Sequence, residues 1–229
     1  MTPSLQTRIY TCYIRFLSGW EQIVHENATA YLREWFDRMA PTYDRLEYLL
    51  GNVRPRVVEM AEAGKGARVL DAATGTGSQA LAFAAAGCEA TGIDLSEEMI
   101  ALARSKDGSG RAAFLNADAS SMPFADGSFD VSVISFALHD MPGPMREKVL
   151  EELVRVTVPG GTIMIVDYEI PRDLIHKLFI RFMLSRYENV YVPAYFSYDL
   201  EGAIEGLGVE IEEKRQVLRG VGRILKCRK

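Results

Sequence analysis

Residues 69–80 read Val-Leu-Asp-Ala-Ala-Thr-Gly-Thr-Gly-Ser-Gln-Ala, and a second run, 89–94, ends on Asp94. A short apolar run closed by glycines and followed by alanine-rich sequence predicts a strand, a tight turn and a helix. The second run predicts another strand, tipped with a carboxylate. Strands joined through a helix lie parallel, and a parallel sheet must be covered on both faces. This unit therefore directs the chain towards a layered α/β sheet.

From Arg68 onward the same alternation continues. Strands are expected near 68–72, 89–94, 111–116, 129–135 and 161–168, and helices over 77–86, 96–104 and 144–157. The last of these helices carries Met145, Val149, Leu153 and Val156 on one face and stops before Pro159-Gly160-Gly161. Further helices fit near 172–186 and 199–206. Two β-rich runs, 208–217 and 220–227, are separated only by a short turn at Arg219-Gly220. That turn is too short for a crossover, so the two runs should pair antiparallel.

Residues 2–63 read as helical. Leu5, Ile9, Tyr13, Phe16 and Trp20 share one face, as do Leu46, Leu49, Leu50, Val53, Val57 and Met60. A turn is expected at Pro41-Thr42-Tyr43-Asp44 and a kink at Pro55. The expected fold class is thus a doubly wound, Rossmann-like α/β arrangement, with a mostly parallel sheet, an antiparallel C-terminal strand and a helical N-terminal cap. One domain over 1–229 would comprise the cap at 1–63, a core at 64–168, a covering segment at 169–198, and a helix with a β-hairpin at 199–229.

The 229 residues suffice for one such domain with a full core. A net charge of −5 with no long basic run argues against nucleic acid as the partner. No stretch approaches the roughly 18 apolar residues of a membrane span. Met1–Gln6 lacks the basic-then-apolar pattern of a leader, so a cytoplasmic protein is expected. Cys12, Cys88 and Cys227 are far apart and odd in number, and His25, His139 and His176 lack ligand spacing. Neither a disulfide framework nor a metal site is expected.

Gly75-Thr76-Gly77-Ser78-Gln79-Ala80 matches G-x-G-x-x-[GA], and Asp94 lies 19 residues after Gly75, where an acid that binds ribose hydroxyls belongs. Taken alone, this pair suits NAD or another nucleoside cofactor equally, and Asp94 could instead cap the helix that follows. Three features discriminate. Asp71 puts a carboxylate at the turn, which would repel a pyrophosphate but suit an ammonium-bearing ligand. Asp118, after the third strand, can accept from an exocyclic amine, or serve simply as a loop acid. Pro159-Gly160-Gly161 leads into the fifth strand.

As a set, Asp71-x-x-x-Gly75-x-Gly77, Gly92-Ile93-Asp94-Leu95-Ser96-x-x-Met99, Asp118-Ala119 and Pro159-Gly160-Gly161 resemble the class I S-adenosylmethionine-dependent methyltransferases over roughly residues 36–168. The chain is most similar to the ubiquinone/menaquinone-biosynthesis type. Phe36-Asp37-x-x-Ala40-x-x-Tyr43-Asp44 and Met122-Pro123-Phe124-x-x-x-Ser128-Phe129-Asp130 carry that closer likeness.

The resemblance implies S-adenosylmethionine as cofactor, S-adenosylhomocysteine as product, and no metal. It implies that the backbone from Asp71-Ala72 to Gly75-Thr76-Gly77 passes beneath the methionine part, with Asp71 near the ammonium. Asp94 would accept both ribose hydroxyls, Leu95 and Met99 would pack on the adenine, and Asp118 with Ala119 would hold its amine. Ser135 and Phe136 would border the methionine end. Tyr43 would act as a lid, or else pack in the core; Met99 likewise fits the inner face of its own helix.

His139, just past the fourth strand at the expected pocket rim, is the candidate base, since its ordinary pKa suits proton transfer near neutrality. It can equally be a plain loop histidine. Asp140 would orient it or cap the next helix.

Seven of the chain's ten Phe, ten Tyr and two Trp fall between 179 and 198. His139, Phe179, Tyr187 and Tyr191 are therefore taken as contacts for a small hydrophobic or aromatic acceptor, with the segment around 172–186 otherwise simply burying itself. Arg8 and Arg15 beside the first apolar stripe are compatible with peripheral membrane contact, or with an ordinary helix packing on the sheet or on another subunit, in a monomer or homodimer. The rival readings are an NAD(P)-dependent oxidoreductase and a non-catalytic cofactor-binding protein.

Overall fold

A computed structural model describes residues 28–50, 52–108, 110–169 and 191–229. The expected helices at 2–20 and 172–186, together with Phe179 and Tyr187, lie outside these residues. Helices α1 (Ala28–Leu50) and α2 (Val53–Ala61) precede the sheet. Then β1 (Arg68–Ala72), α3 (Ser78–Ala85), β2 (Glu89–Asp94), α4 (Glu97–Lys106) and β3 (Ala112–Asn116) follow in strict alternation. Next come β4 (Phe129–Ser135), a 3-10 turn (Leu138–Asp140), α5 (Gly143–Val156) and β5 (Thr157–Tyr168). After the undescribed segment come α6 (Val192–Tyr195), α7 (Leu200–Gly206), β6 (Glu210–Val217) and β7 (Gly222–Arg228).

The seven strands are ordered β3-β2-β1-β4-β5-β7-β6. β1 to β5 pair parallel, whereas β7 runs antiparallel to both β5 and β6. Alternate strand residues serve opposite faces. Leu70, Ile134, Ile163 and Ile165 join Val149, Leu153 and Val156 of α5 in one core. Val69, Val131, Val133, Met164 and Val166 join Val57, Phe83 and Ile100 of α2, α3 and α4 in the other. Both sheet faces are thereby covered, as expected of a doubly wound fold.

Three local expectations are corrected. Pro41-Thr42-Tyr43-Asp44 is not a turn but lies inside α1. A proline in a helix interior loses one backbone hydrogen bond and normally kinks the helix. Here tertiary anchors on either side hold the helix in place: Ser96 Oγ donates to Asp37 Oδ1, and Thr76 Oγ1 donates to Asp44 Oδ1. Pro55 causes no kink, because α2 starts at Val53 and Pro55 falls in its first turn, where the missing amide would have had no helical partner. β5 begins at Thr157 rather than 161, with a register shift opposite Phe129 and Val131 that accommodates Pro159 and the glycines.

Candidate active site

The carboxyl ends of β1, β2, β3 and β4 open on one cleft. This is where open α/β sheets bind ligands. Asp94, Leu95 and Met99 form one part of the wall, and Ala117, Asp118 and Ala119 the next. Phe136, Ala137, Asp140 and Met141 close the β4 side, while α1 contributes Leu32, Phe36 and Tyr43. A smaller polar annex adjoins it, lined by Tyr43, Arg54, Asp71, Thr74, Gln79, Ser135 and Phe136.

Of the expected cofactor residues, Tyr43, Gly75, Asp94, Leu95, Met99, Asp118, Ala119 and Phe136 line the cleft, and Asp71 and Ser135 line the annex. Ala72, Thr76 and Gly77 line neither. Ala72 is buried in the core, and the Thr76 hydroxyl is bound to Asp44. Gly77 has φ +82°, and a Cβ there would sit 2.8 Å from Ala103 Cβ and 2.9 Å from the Phe114 ring. Its glycine is thus required by the fit of α3 against α4 and β3.

Two cleft residues hold left-handed backbone without being glycine: Ala73 and Phe136, each at φ +52°. Such conformations persist only where the surroundings impose them.

Asp71 has a structural task that spacing did not reveal. Its Oδ2 accepts from Thr74 Oγ1 and, at 3.0 Å, from Ala80 N in the first turn of α3. It therefore satisfies an orphan helix amide and complements the positive helix end. Around it, the Ser135 hydroxyl oxygen and Gln79 Oε1 are covered and have no hydrogen-bond partner. Buried acceptors of this kind are costly unless a ligand meets them.

Asp94 accepts from Gly75 N (2.8 Å, Oδ2) and Ser96 N (2.9 Å, Oδ1). Burial pushes its carboxyl up to about 6, against the pull of those amides. Ser96 also caps α4 by accepting from Met99 N, and its hydroxyl donates to Asp37. Asp118 Oδ1 accepts from both the amide and the hydroxyl of Ser120 at 2.7 Å, so this cleft residue is a loop acid as well. Met99 is likewise both core, at 1% exposure, and cleft wall. Asn116, which spacing did not single out, donates to the carbonyls of Asp94 (3.0 Å) and Leu95 (2.8 Å) and so ties the β2 end to the β3 end.

His139 is not at the rim. It lies behind Asp140, 4% exposed, in contact with two carboxylates: Nδ1 is 2.8 Å from Asp167 Oδ1 and Nε2 is 3.2 Å from Asp140 Oδ2. Its amide also donates to Asp167 Oδ2 at 3.1 Å. Burial opposes the charged ring, but Asp140 and Asp167 outweigh it and push His139 up to about 9. Tyr191 is also displaced from its expected place: it is 3% exposed, packs edge-on to Tyr31 with ring centroids 6.0 Å apart, and does not line the cleft.

Arg146, 2% exposed, donates to the carbonyls of Leu138 (3.0 Å) and Met141 (2.8 Å) and lies between the rings of Tyr195 and Tyr198. It clamps the loop that carries Asp140. Among the described residues, no helix is long and apolar enough to cross a membrane.

Residues 69–161 match the methyltransferase-domain family. The demethylmenaquinone methyltransferase of Chlorobaculum tepidum is 32% identical over 217 residues, covering 88% of each chain. That of Clavibacter sepedonicus is 38% identical over 142 residues, or 59% of this chain and 57% of the relative. The chain spans only 54% to 65% of the length of the first three curated relatives it matches. In fold it is similar to a SAM-dependent methyltransferase from Aquifex aeolicus, with TM-score 0.61 and 20% identity over 76% of this chain and 88% of that one. With its motifs, topology and near-full-length likeness in agreement, the chain belongs to the ubiquinone/menaquinone-biosynthesis type of class I S-adenosylmethionine-dependent methyltransferases.

Proposed function

We propose that this chain is a single methyltransferase domain that binds S-adenosylmethionine and methylates a small hydroxylated aromatic acceptor, of which a quinol of the demethylmenaquinone class is the nearest example. The observation that carries this reading is the pairing of one mixed cleft with a polar annex. Acids line the nucleoside side at Asp94 and Asp118, and covered, unpartnered acceptors line the annex at Ser135 and Gln79 beside Asp71.

This donor and acceptor set fits the cofactor. Asp94 would accept the ribose hydroxyls, Asp118 the adenine amine, and Leu95 and Met99 would pack on the base. Ser135, Gln79 and Asp71 would meet the ammonium, and Arg54 the carboxylate. When bound, the cofactor supplies an electrophilic methyl group on a sulfonium. The chain's own contribution is alignment and exclusion of water, which can be worth on the order of 7–11 kcal/mol for a well-oriented reaction.

Leu32 and Phe36 from α1, with Ala137, Met141, Met145 and Val149, offer the apolar wall that an aromatic acceptor needs. Phe179 and Tyr187 remain acceptor contacts by proposal, and the cytoplasm remains the expected compartment.

Calorimetry tests the cofactor assignment. S-adenosylhomocysteine should bind with micromolar affinity and NADH should not; the reverse result would overturn the reading. Incubation with labelled cofactor and reduced demethylmenaquinone analogues should then give products heavier by one methyl group.

A further inference from the structure

The structure assigns the acceptor's proton to Asp140 and makes His139 the positioning residue that keeps this carboxylate ionised and aimed. This inference rests on the hydroxylated aromatic acceptor proposed above. Asp140 is on the cleft wall, next to Ala137 and Met141, whereas His139 is behind it and Asp167 behind His139. The order is therefore cleft, carboxylate, imidazole, carboxylate.

The two flanking carboxylates favour one charge state for this chain of groups. A neutral imidazole carries one N–H and would turn its bare nitrogen lone pair towards one of the two carboxylates. The doubly protonated ring donates to Asp167 through Nδ1 and turns its second N–H side to Asp140 at ion-pair distance, 3.2 Å, and in a buried site that arrangement is favoured. Asp167, fully buried, also accepts from the amides of His139 (3.1 Å) and Tyr168 (2.8 Å). A ring that already holds two protons cannot take a third, so His139 is no base. The group left facing the cleft is Asp140.

The other neighbours support this order. The Tyr168 ring of β5 meets the imidazole edge-on at 4.7 Å, and that of Tyr195 from α6 at 6.2 Å. Two further charges come from packed elements: Arg223 of β7, opposite Asp167 in the sheet register and paired with Glu201 at 2.8 Å, and the Arg146 guanidinium of α5. It binds the Leu138 and Met141 carbonyls on either side of the His139-Asp140 pair. The loop thus has its backbone clamped by one cation and its carboxylate oriented by another.

In the proposed step the acceptor's O–H bond breaks. Its proton passes to an Asp140 carboxylate oxygen and its electron pair stays on the acceptor oxygen, which enriches the conjugated ring as a nucleophile. Methylation at a ring carbon then displaces that carbon's own proton, which returns to the acceptor oxygen, and the proton held by Asp140 leaves for water when the product departs.

The test uses the full chain without cofactor, with 1-naphthol and 1-methoxynaphthalene as matched probes that differ in the hydroxyl proton. Wild type should bind naphthol about tenfold more tightly, the worth of a hydrogen bond to a charged acceptor, and lose that preference at acid pH as Asp140 protonates. Asp140→Ala should bind both probes equally at every pH. His139→Gln should move the loss of preference to higher pH, and His139→Arg, which restores a cation, should move it back.

Wild type that binds both probes equally, or Asp140→Ala that keeps the preference, overturns the assignment. Wild type that binds neither overturns the aromatic-acceptor reading and this assignment with it. Nitrogen NMR of the wild-type imidazole provides a check that needs no variant: His139 should carry protons on both nitrogens at pH 7.5, and a singly protonated ring there overturns the proposal.

Discussion

At the residue scale, the acids of the cleft differ through their surroundings rather than their chemistry. Asp71 is committed to the first turn of α3, Asp118 to its own loop, and Asp94 to two amides in a buried site. Burial shifts Asp94 upward, to about 6 from an ordinary 3.8. Because the folded value exceeds the unfolded one, the folded chain binds the extra proton between those values. The ligand-free fold therefore loses stability as pH rises from about 4 to 6, the reverse of a salt-bridged aspartate. Ribose hydroxyls favour the ionised form, so S-adenosylhomocysteine affinity should be steady above pH 7 and fall as pH drops through about 6, approaching tenfold per unit below it. Calorimetry between pH 5 and 8 measures this, and Asp94→Asn should flatten the profile.

At the element scale, helix α1 closes the cleft and is held by side chains that act in pairs across the fold. Asp37 meets Ser96, and Asp44 meets both Thr76 and Lys106. These contacts link the lid helix to the glycine turn and to the start of α4, so formation of the site and docking of α1 are one event. Ser96 serves twice, as N-cap of α4 and as partner of Asp37. Ser96→Ala should cost about 1–2 kcal/mol in denaturant unfolding, a typical cap loss plus one contact. It should also weaken S-adenosylhomocysteine binding severalfold, because Leu95 and Met99 flank this cap. An unchanged binding constant would separate α1 docking from the site. The Pro41 helix was illegible in sequence for the same reason: the forces that hold it come from residues 32 to 62 positions away. By contrast, α3 to α5 were legible because their apolar spacing and their stop signals are local.

At the scale of the whole molecule, the central strands β1, β4 and β5 bear both cores, and each helix seals one face of them. Leu153 of α5 is fully buried, whereas Leu115 on edge strand β3 is 41% exposed. Leu153→Ala should therefore cost about 2–5 kcal/mol in global unfolding, and Leu115→Ala no more than about 0.5 kcal/mol. The opposite edge, β6, carries Glu210, Glu212, Glu213, Lys214 and Arg215. These charges, with Glu212 paired to Arg228 of β7, make that edge a poor template for aggregation.

What the sequence alone determined is the periodic part: strand alternation, helix faces, the antiparallel closing hairpin and the carboxylates at strand ends. Each depends on side-chain direction within a few residues, which spacing records directly. What only the tertiary structure decided is the state of each polar group. It made Gly77 a packing glycine, made Asp71 a remote helix cap, and moved Tyr191 away from the cleft. It also placed His139 not at the rim but buried behind Asp140, between two carboxylates. Those outcomes depend on burial and on partners distant in sequence, such as Asp167 for His139, and no local pattern encodes the distance between them.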